Sequence, residues 1–338
     1  MTHRAAVATM VLVTLLWSMA GVVTRQVEQA QGLELTFWRS AFNALALIVI
    51  LSWRAGGPSG LLDRLRAGGT LLWASGACWA VMFTAFMAAL TMTTVANVLL
   101  TMALAPLFTA LLARLILAQP LKPRTMCAIA LAVVGMVWMQ APVLWPDAAS
   151  ALSSVGGEHL RGILVSLAVP LGGALNWIII RRASGDGRSG AVVGQDAKHD
   201  ERHGEHLDDK WAPWTLERST PSPAVGAPDL LPAVLIGAVL SSALTLAWAV
   251  PMRATASDLG WLALLGVFQL AVPCLLAVRV ARQLSPTEVS LLSLLEVIFG
   301  VAWVWIATAE APNPSVLSGG ALVLSALVLN EVWARVET

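Results

Sequence analysis

LAPLFTALLARLILAQPLKP, residues 104–123, and LEVIFGVAWVWIATAEAPNP, residues 295–314, carry the same punctuation at a constant offset of 191. Leu107-Phe108, then Ala118-Gln119 and Pro123, match Ile298-Phe299, then Ala309-Glu310 and Pro314. Working outward from these two segments, ten apolar stretches divide the chain, at 5–23, 33–53, 70–90, 95–117, 125–145, 160–180, 229–250, 258–278, 287–308 and 315–334. Each is close to the roughly 20 residues that a helix needs to cross about 30 Å of hydrocarbon. The second five repeat the layout of the first five. The chain therefore reads as an all-α integral membrane protein of ten transmembrane helices.

Composition agrees. Of 338 residues, 57% are hydrophobic and 12% charged, and the mean hydropathy is +0.75. A soluble chain of this length needs far more polar surface. The net charge of +1 offers neither a basic face for nucleic acid nor an acidic tail, so the expected partners are the lipid bilayer and a small-molecule substrate. With the N-terminus and Arg4 cytoplasmic, nine more basic residues fall on the same side, from Arg54, Arg64 and Arg66 through Arg114, Lys122 and Arg124 to Arg279, Arg282 and Arg335. The loop after the sixth stretch adds seven, against Arg25, Arg161 and Arg253 outside and Arg39 within a stretch. The positive-inside rule picks this orientation, with both termini cytoplasmic. Five spans is an odd number, so residues 160–338 enter the membrane from the side opposite to residues 1–145. Such inverted five-helix repeats place a pseudo-two-fold axis in the membrane plane and a cavity near the midplane, the architecture of a secondary transporter. The excess of Arg over Lys, 18 to 3, points to a GC-rich bacterial genome and an inner membrane.

Short motifs extend the pattern: Leu16-Trp17-Ser18 with Gly21, Phe37-Trp38-Arg39, Ala105-Pro106-Leu107-Phe108, Leu121 and Gly135 in the first half; Arg181-Arg182, Leu294-Leu295-Glu296-Val297 and Ala309-Glu310 in the second. In order and spacing they resemble the EamA family of the drug/metabolite transporter superfamily, over nearly the whole chain except about residues 183–228. The resemblance implies two five-helix repeats, efflux of a small solute, and a cavity lined by spans one, three, four, six, eight and nine. The chain departs from the family at Glu296-Val297, where Glu-Pro is usual, which removes the proline that would kink that helix. It also has Gln119 in place of the family's acidic residue after span four, and a long polar loop at 183–228.

That loop has almost no apolar periodicity and is expected to be disordered or partly ordered on the cytoplasmic side. His199, His203 and His206 sit at i, i+4 and i+7 within it, among Asp200, Glu201, Glu205, Asp208 and Asp209. On a helix they would share a face able to bind zinc, but no Cys joins them and no supporting shell can be argued, so no metal is assigned. Trp211 and Trp214 would rest the loop on the membrane surface. Cys78, Cys127 and Cys274 fall within spans, so no disulfide framework is expected. Ser18-Met19-Ala20 looks like a signal cleavage site, but the apolar run continues to Val23 and the first repeat needs it as a span.

Polar residues that lipid would reject mark the functional candidates. Glu296 lies about ten residues into span nine, where a carboxylate costs several kcal/mol unless paired, protonated or solvated. It reads either as a proton or substrate-cation site, or as a protonated carboxyl tying two helices. Asn97, Asn176 and Gln269 suit a neutral or zwitterionic solute, because amides both donate and accept. Ser18 belongs with them by its motif, and Trp17 and Met82, with Phe86, Trp177 and Phe299, are candidates for the cavity wall. Arg39 could reach a substrate carboxylate or Glu296, but snorkelling or a structural pairing is the reading its long stem favours. Asn43 and Asn330 read as interhelical links. Gly21, Gly76, Gly172-Gly173, Gly266 and Gly319-Gly320 allow close helix approach, while Pro106, Pro170 and Pro273 can kink helices and free carbonyls to line a cavity.

Three classes of function compete. A secondary transporter exporting a small metabolite, amino acid or amphipathic drug-like compound fits best. No Gly-x-x-x-x-Gly-Lys loop occurs for ATP, and no cofactor motif is found. A membrane enzyme would need paired carboxylates or a Ser/His set within the spans, and none is present. A non-transporting scaffold or sensor would signal through the His-rich loop.

Overall fold

A segment that is apolar on every side has few ways to satisfy its backbone in hydrocarbon, and an unbroken helical ladder is the simplest. The computed structural model describes residues 1–24, 26–92, 98, 101–102, 104–118, 123–139, 157–192, 229–308 and 314–336, and among them every regular element is helical. In chain order these are α1 (His3–Ser18), α2 (Ala20–Thr24), α3 (Leu33–Arg54), α4 (Pro58–Ala67), α5 (Gly69–Met92), α6 (Ala105–Leu117) and α7 (Pro123–Met139). Then come α8 (Gly157–Val192), α9 (Pro232–Leu246), α10 (Ala256–Leu264), α11 (Val272–Val280), α12 (Pro286–Ser293), α13 (Leu295–Thr308) and α14 (Pro314–Val336). A π-helical segment, Leu265–Ala271, joins α10 to α11.

Five described stretches are long and apolar enough to cross a membrane: His3–Thr24, Leu33–Arg54, Gly69–Ala89, Leu164–Ser184 and Ala256–Val280. Ala105–Leu117, Pro123–Gly135, Pro232–Leu246 and Leu317–Ala326 are apolar but shorter. The expected span 95–117 includes residues outside the described ones, and the expected span 287–308 is broken at Leu294. Helix α8 runs past Ala183, where the polar loop was expected to begin, as far as Val192. The three loop histidines, with Trp211 and Trp214, lie outside the described residues.

Helix starts follow from local chemistry. Thr255 and Ser285 each form a capping box, with Asp258 and Glu288 as the reciprocal carboxylates. Pro232, Pro286 and Ala105-Pro106 place proline in the first turn, where its missing N–H is not needed.

The helices of residues 1–139 pack against those of 157–336 in exchangeable pairs. Helix α5 lies on α8 as α1 lies on α11; α5 on α9 as α3 on the π segment; α6 on α8 as α1 on α12 and α13. Helix α3 meets α9, α6 meets α12, and α7 meets α14. Small residues set the closest crossings. A Cβ on Gly266 would stand 2.8 Å from both the Arg39 carbonyl oxygen and the Asn43 nitrogen of α3. A Cβ on Gly237 of α9 would stand 3.0 Å from the Ala80 nitrogen of α5 and 3.1 Å from the Gly76 oxygen. At those distances only glycine fits without moving backbone, which is how membrane helices gain dispersion contact without a hydrophobic drive. Hydroxyls stitch the same crossings: Ser40 and Ser241 share a hydrogen bond of 3.1 Å, and Thr84 donates to Ser241 at 3.0 Å.

The two ends of the bundle are fastened by different chemistry. At one end the Asp258 carboxylate accepts the backbone N–H groups of Glu28, Gln29, Ala30 and Thr255 at 2.9–3.3 Å, and Glu34 accepts those of Arg253 and Ala254 at 2.8 Å. Both carboxylates are buried. At the other, Asp229 ahead of α9 pairs with Arg64 of α4 at 3.2 Å and Arg282 at 3.7 Å, all partly exposed.

Two outcomes follow. Asp258→Ala strands four amides, so the thermal unfolding midpoint should fall by several degrees; an unchanged midpoint would show that water replaces the carboxylate. Gly266→Ala should cost about 1–3 kcal/mol through overpacking against α3, read in the same melt.

Candidate functional site

Three departures from regular helix come together in the middle of the bundle. The first is at Met19, between α1 and α2, where the backbone N–H reaches back to Leu16 and Trp17. The second is the π segment carrying Gln269. The third is at Leu294, where i to i+3 bonds link Leu291 to Leu294 and Leu294 to Val297. The sequence offered no proline to kink this helix, and the break occurs without one, immediately before Glu296. Irregular backbone at membrane depth is tolerated where protein buries it or where it lines a cavity, and π segments recur at functional sites.

A cavity of about 120 Å³ lies at this junction. By the rule that roughly 10–15 Å³ on this measure holds one water, it has room for several waters or for part of a small solute. Trp17, Trp79, Phe83, Phe86 and Trp177 supply its aromatic wall; Met82, Met102, Val169, Pro170 and Leu270 add apolar surface. Its polar groups are Arg39, Gln269, Ser290, Ser293, Glu296 and the Cys274 thiol.

Each polar group has a distinct state. Gln269 donates from Nε2 to the Trp17 carbonyl at 3.2 Å, beside the break at Met19, while its Oε1 has no hydrogen-bond partner among the described residues. Ser290 accepts from Thr109 of α6 at 3.1 Å, which leaves its own proton to give. Ser293 donates to the Val289 carbonyl at 2.8 Å. Arg39 is 6% exposed. Its guanidinium stands 5.9 Å from the centre of the Phe86 ring, and Nε has no partner. Glu296 lines the same cavity, and no ion pair joins it to Arg39 among the described residues.

Of the residues singled out from sequence, Trp17, Met82, Gln269 and Glu296 meet in this cavity, as do Phe86 and Trp177. Ser18 and Asn176 do not line it. Ser18 donates to the Leu15 carbonyl at 2.7 Å and accepts from the Trp303 indole at 3.0 Å, tying α1 to α13. Asn176 is fully buried and accepts from Ser75 at 2.6 Å, joining α8 to α5. Asn97 lies outside the described residues, and Phe299 is not on the wall. Snorkelling of Arg39 is corrected: the residue is buried and its side chain lines the cavity. Asn43 makes no interhelical link, since neither amide atom has a partner among the described residues. Among those residues no group of His, Cys, Asp and Glu is placed to hold a metal.

Residues 4–140 match the model of the EamA-like transporter family. Over these residues the chain is similar to the EamA family, which lies within the drug/metabolite transporter superfamily. With its long apolar helices it is a multi-pass membrane protein. The comparison with curated proteins returns no match. One solved crystal structure superposes with a TM-score of 0.70 over 99% of this chain and 99% of its own, at 14% sequence identity, a likeness of fold. The EamA match supplies the α1, α3 and α5 walls of the cavity, with Trp17, Arg39 and Met82; Gln269 and Glu296 come from beyond it.

Asn176→Ala leaves the buried Ser75 hydroxyl without its acceptor. It should lower stability by about 1 kcal/mol and leave solute affinity within twofold. Lost affinity at unchanged stability would put Asn176 in the cavity instead.

Proposed function

We propose that this chain is a secondary transporter of ten membrane helices. Residues 1–145 and 160–338 form two inverted five-helix repeats around the cavity, with both termini cytoplasmic. It exports a small metabolite, amino acid or amphipathic drug-like compound across the inner membrane by alternating access. The observation that carries this reading is the cavity in which an aromatic wall surrounds Arg39, Gln269 and Glu296 at the junction of three interrupted helices. Solute sites in inverted-repeat carriers lie at such places. The exchangeable helix pairs support the two-repeat arrangement, because a pseudo-two-fold axis requires each contact to recur with its partners swapped. The EamA match over the first half supports the class of activity.

Energy for export comes from a proton or solute gradient, since the sequence carries no ATP-binding loop. Glu296 is the coupling or cation-recognition group of this reading. A carboxylate held at the midplane changes its protonation when water or a cationic group reaches it, and a cavity that opens to either side in turn provides that change.

Uptake into inverted vesicles, with and without the protein and with and without a pH gradient, tests the proposal on a panel of labelled amino acids and cationic drugs. Saturable accumulation of one compound supports the carrier. A folded protein that accumulates none moves weight to a scaffold or sensor acting through residues 183–228. Glu296→Gln should abolish gradient dependence while expression is retained, and unchanged transport in that variant removes Glu296 from the mechanism.

A further inference from the structure

Arg39 is the least explained group in the molecule. A guanidinium withdrawn from water costs several kcal/mol unless charge and hydrogen bonds compensate it. Here it is 6% exposed, its Nε has no partner, and no described residue accepts a hydrogen bond from it. Among the described residues, the face of Phe86 and the Glu296 side chain on the same cavity wall are what it has. The side chain is buried in the cavity wall and does not reach the outer surface of the bundle. A planar donor fork beside one ring on the wall of a cavity suits a carboxylate, which a guanidinium binds through two parallel N–H donors.

We propose that Arg39 is the specificity-determining residue of the cavity, and that the transported solute presents a carboxylate to its guanidinium while a flat apolar body lies against the Trp and Phe wall. This rests on the transporter reading and narrows it. Glu296, on the same wall, is the carboxyl that can offset the charge of Arg39. A bound carboxylate takes over that role at contact, and Glu296 is left to hold a proton or face an amino group on the solute. The unpartnered Gln269 Oε1 accepts one N–H from the same molecule. Lysine would not serve equally, since an ammonium is a point charge without the fork.

Full-length protein in lipid nanodiscs would be tested for equilibrium binding of three labelled probes that share one ring: indole-3-acetate, indole-3-acetamide and tryptamine. The wild type should bind the acetate about tenfold or more tightly than the acetamide. Arg39→Gln should erase that ratio, and Arg39→Lys should restore part of it. Thermal melts establish that each variant is folded. Equal binding of acetate and acetamide, a ratio that survives in Arg39→Gln, or a preference for tryptamine overturns the role of Arg39. Binding of none of the three by folded wild type overturns the solute class. The carrier reading stands or falls separately on the vesicle fluxes, which do not depend on an indole probe.

Discussion

Hydrocarbon offers no hydrogen bonds, and the structure depends on that constraint more than on any single contact. It explains why every described element is helical and why polar side chains appear mostly where another helix meets them. It also limits where the backbone can be irregular. The break at Met19, the π segment and the break at Leu294 all adjoin one cavity, where Gln269 meets the carbonyl of Trp17. Glycines at the crossings and hydroxyl pairs between α3, α5 and α9 bring the helices close enough to enclose it.

Position along a membrane helix was legible in the sequence; rotation about its axis was not. Helices apolar on all faces carry no stripe that says which side points inward. Glu296, Gln269, Trp17 and Met82 were found by their depth and their chemistry, and their rotation happened to agree. Asn176 has the right depth, but its amide turns to Ser75 on α5. Ser18 turns to Trp303. Arg39 went the other way. Seven residues into its span, its stem is long enough to reach the interface, and its burial in the cavity wall decides against that.

The break before Glu296 had no signal in its own residues. Val297 in place of proline argued for a straight helix, and the chain turns at Leu294 nonetheless, through i to i+3 bonds. Tertiary packing overrides local propensity here. Helix α12 must meet α6, where Thr109 reaches Ser290, while α13 must meet α1, where Trp303 reaches Ser18. A single straight rod would have to satisfy both partners with one direction. The proposed repeat, by contrast, is argued from the spacing of a few prolines and small residues, which mark helix ends and do not depend on rotation.

The fastenings at the two ends of the bundle give the molecule an electrical asymmetry. Asp258 and Glu34 hold uncharged amides in a buried setting, so counter-ions have little to compete for there. Asp229 holds Arg64 and Arg282 where solvent ions reach all three, and such pairs are weak and screened by salt. Raising ionic strength therefore loosens one end of the bundle and leaves the other nearly untouched. A molecule whose packing is close to symmetric thus answers the solution around it in an unsymmetric way, and does so through three side chains.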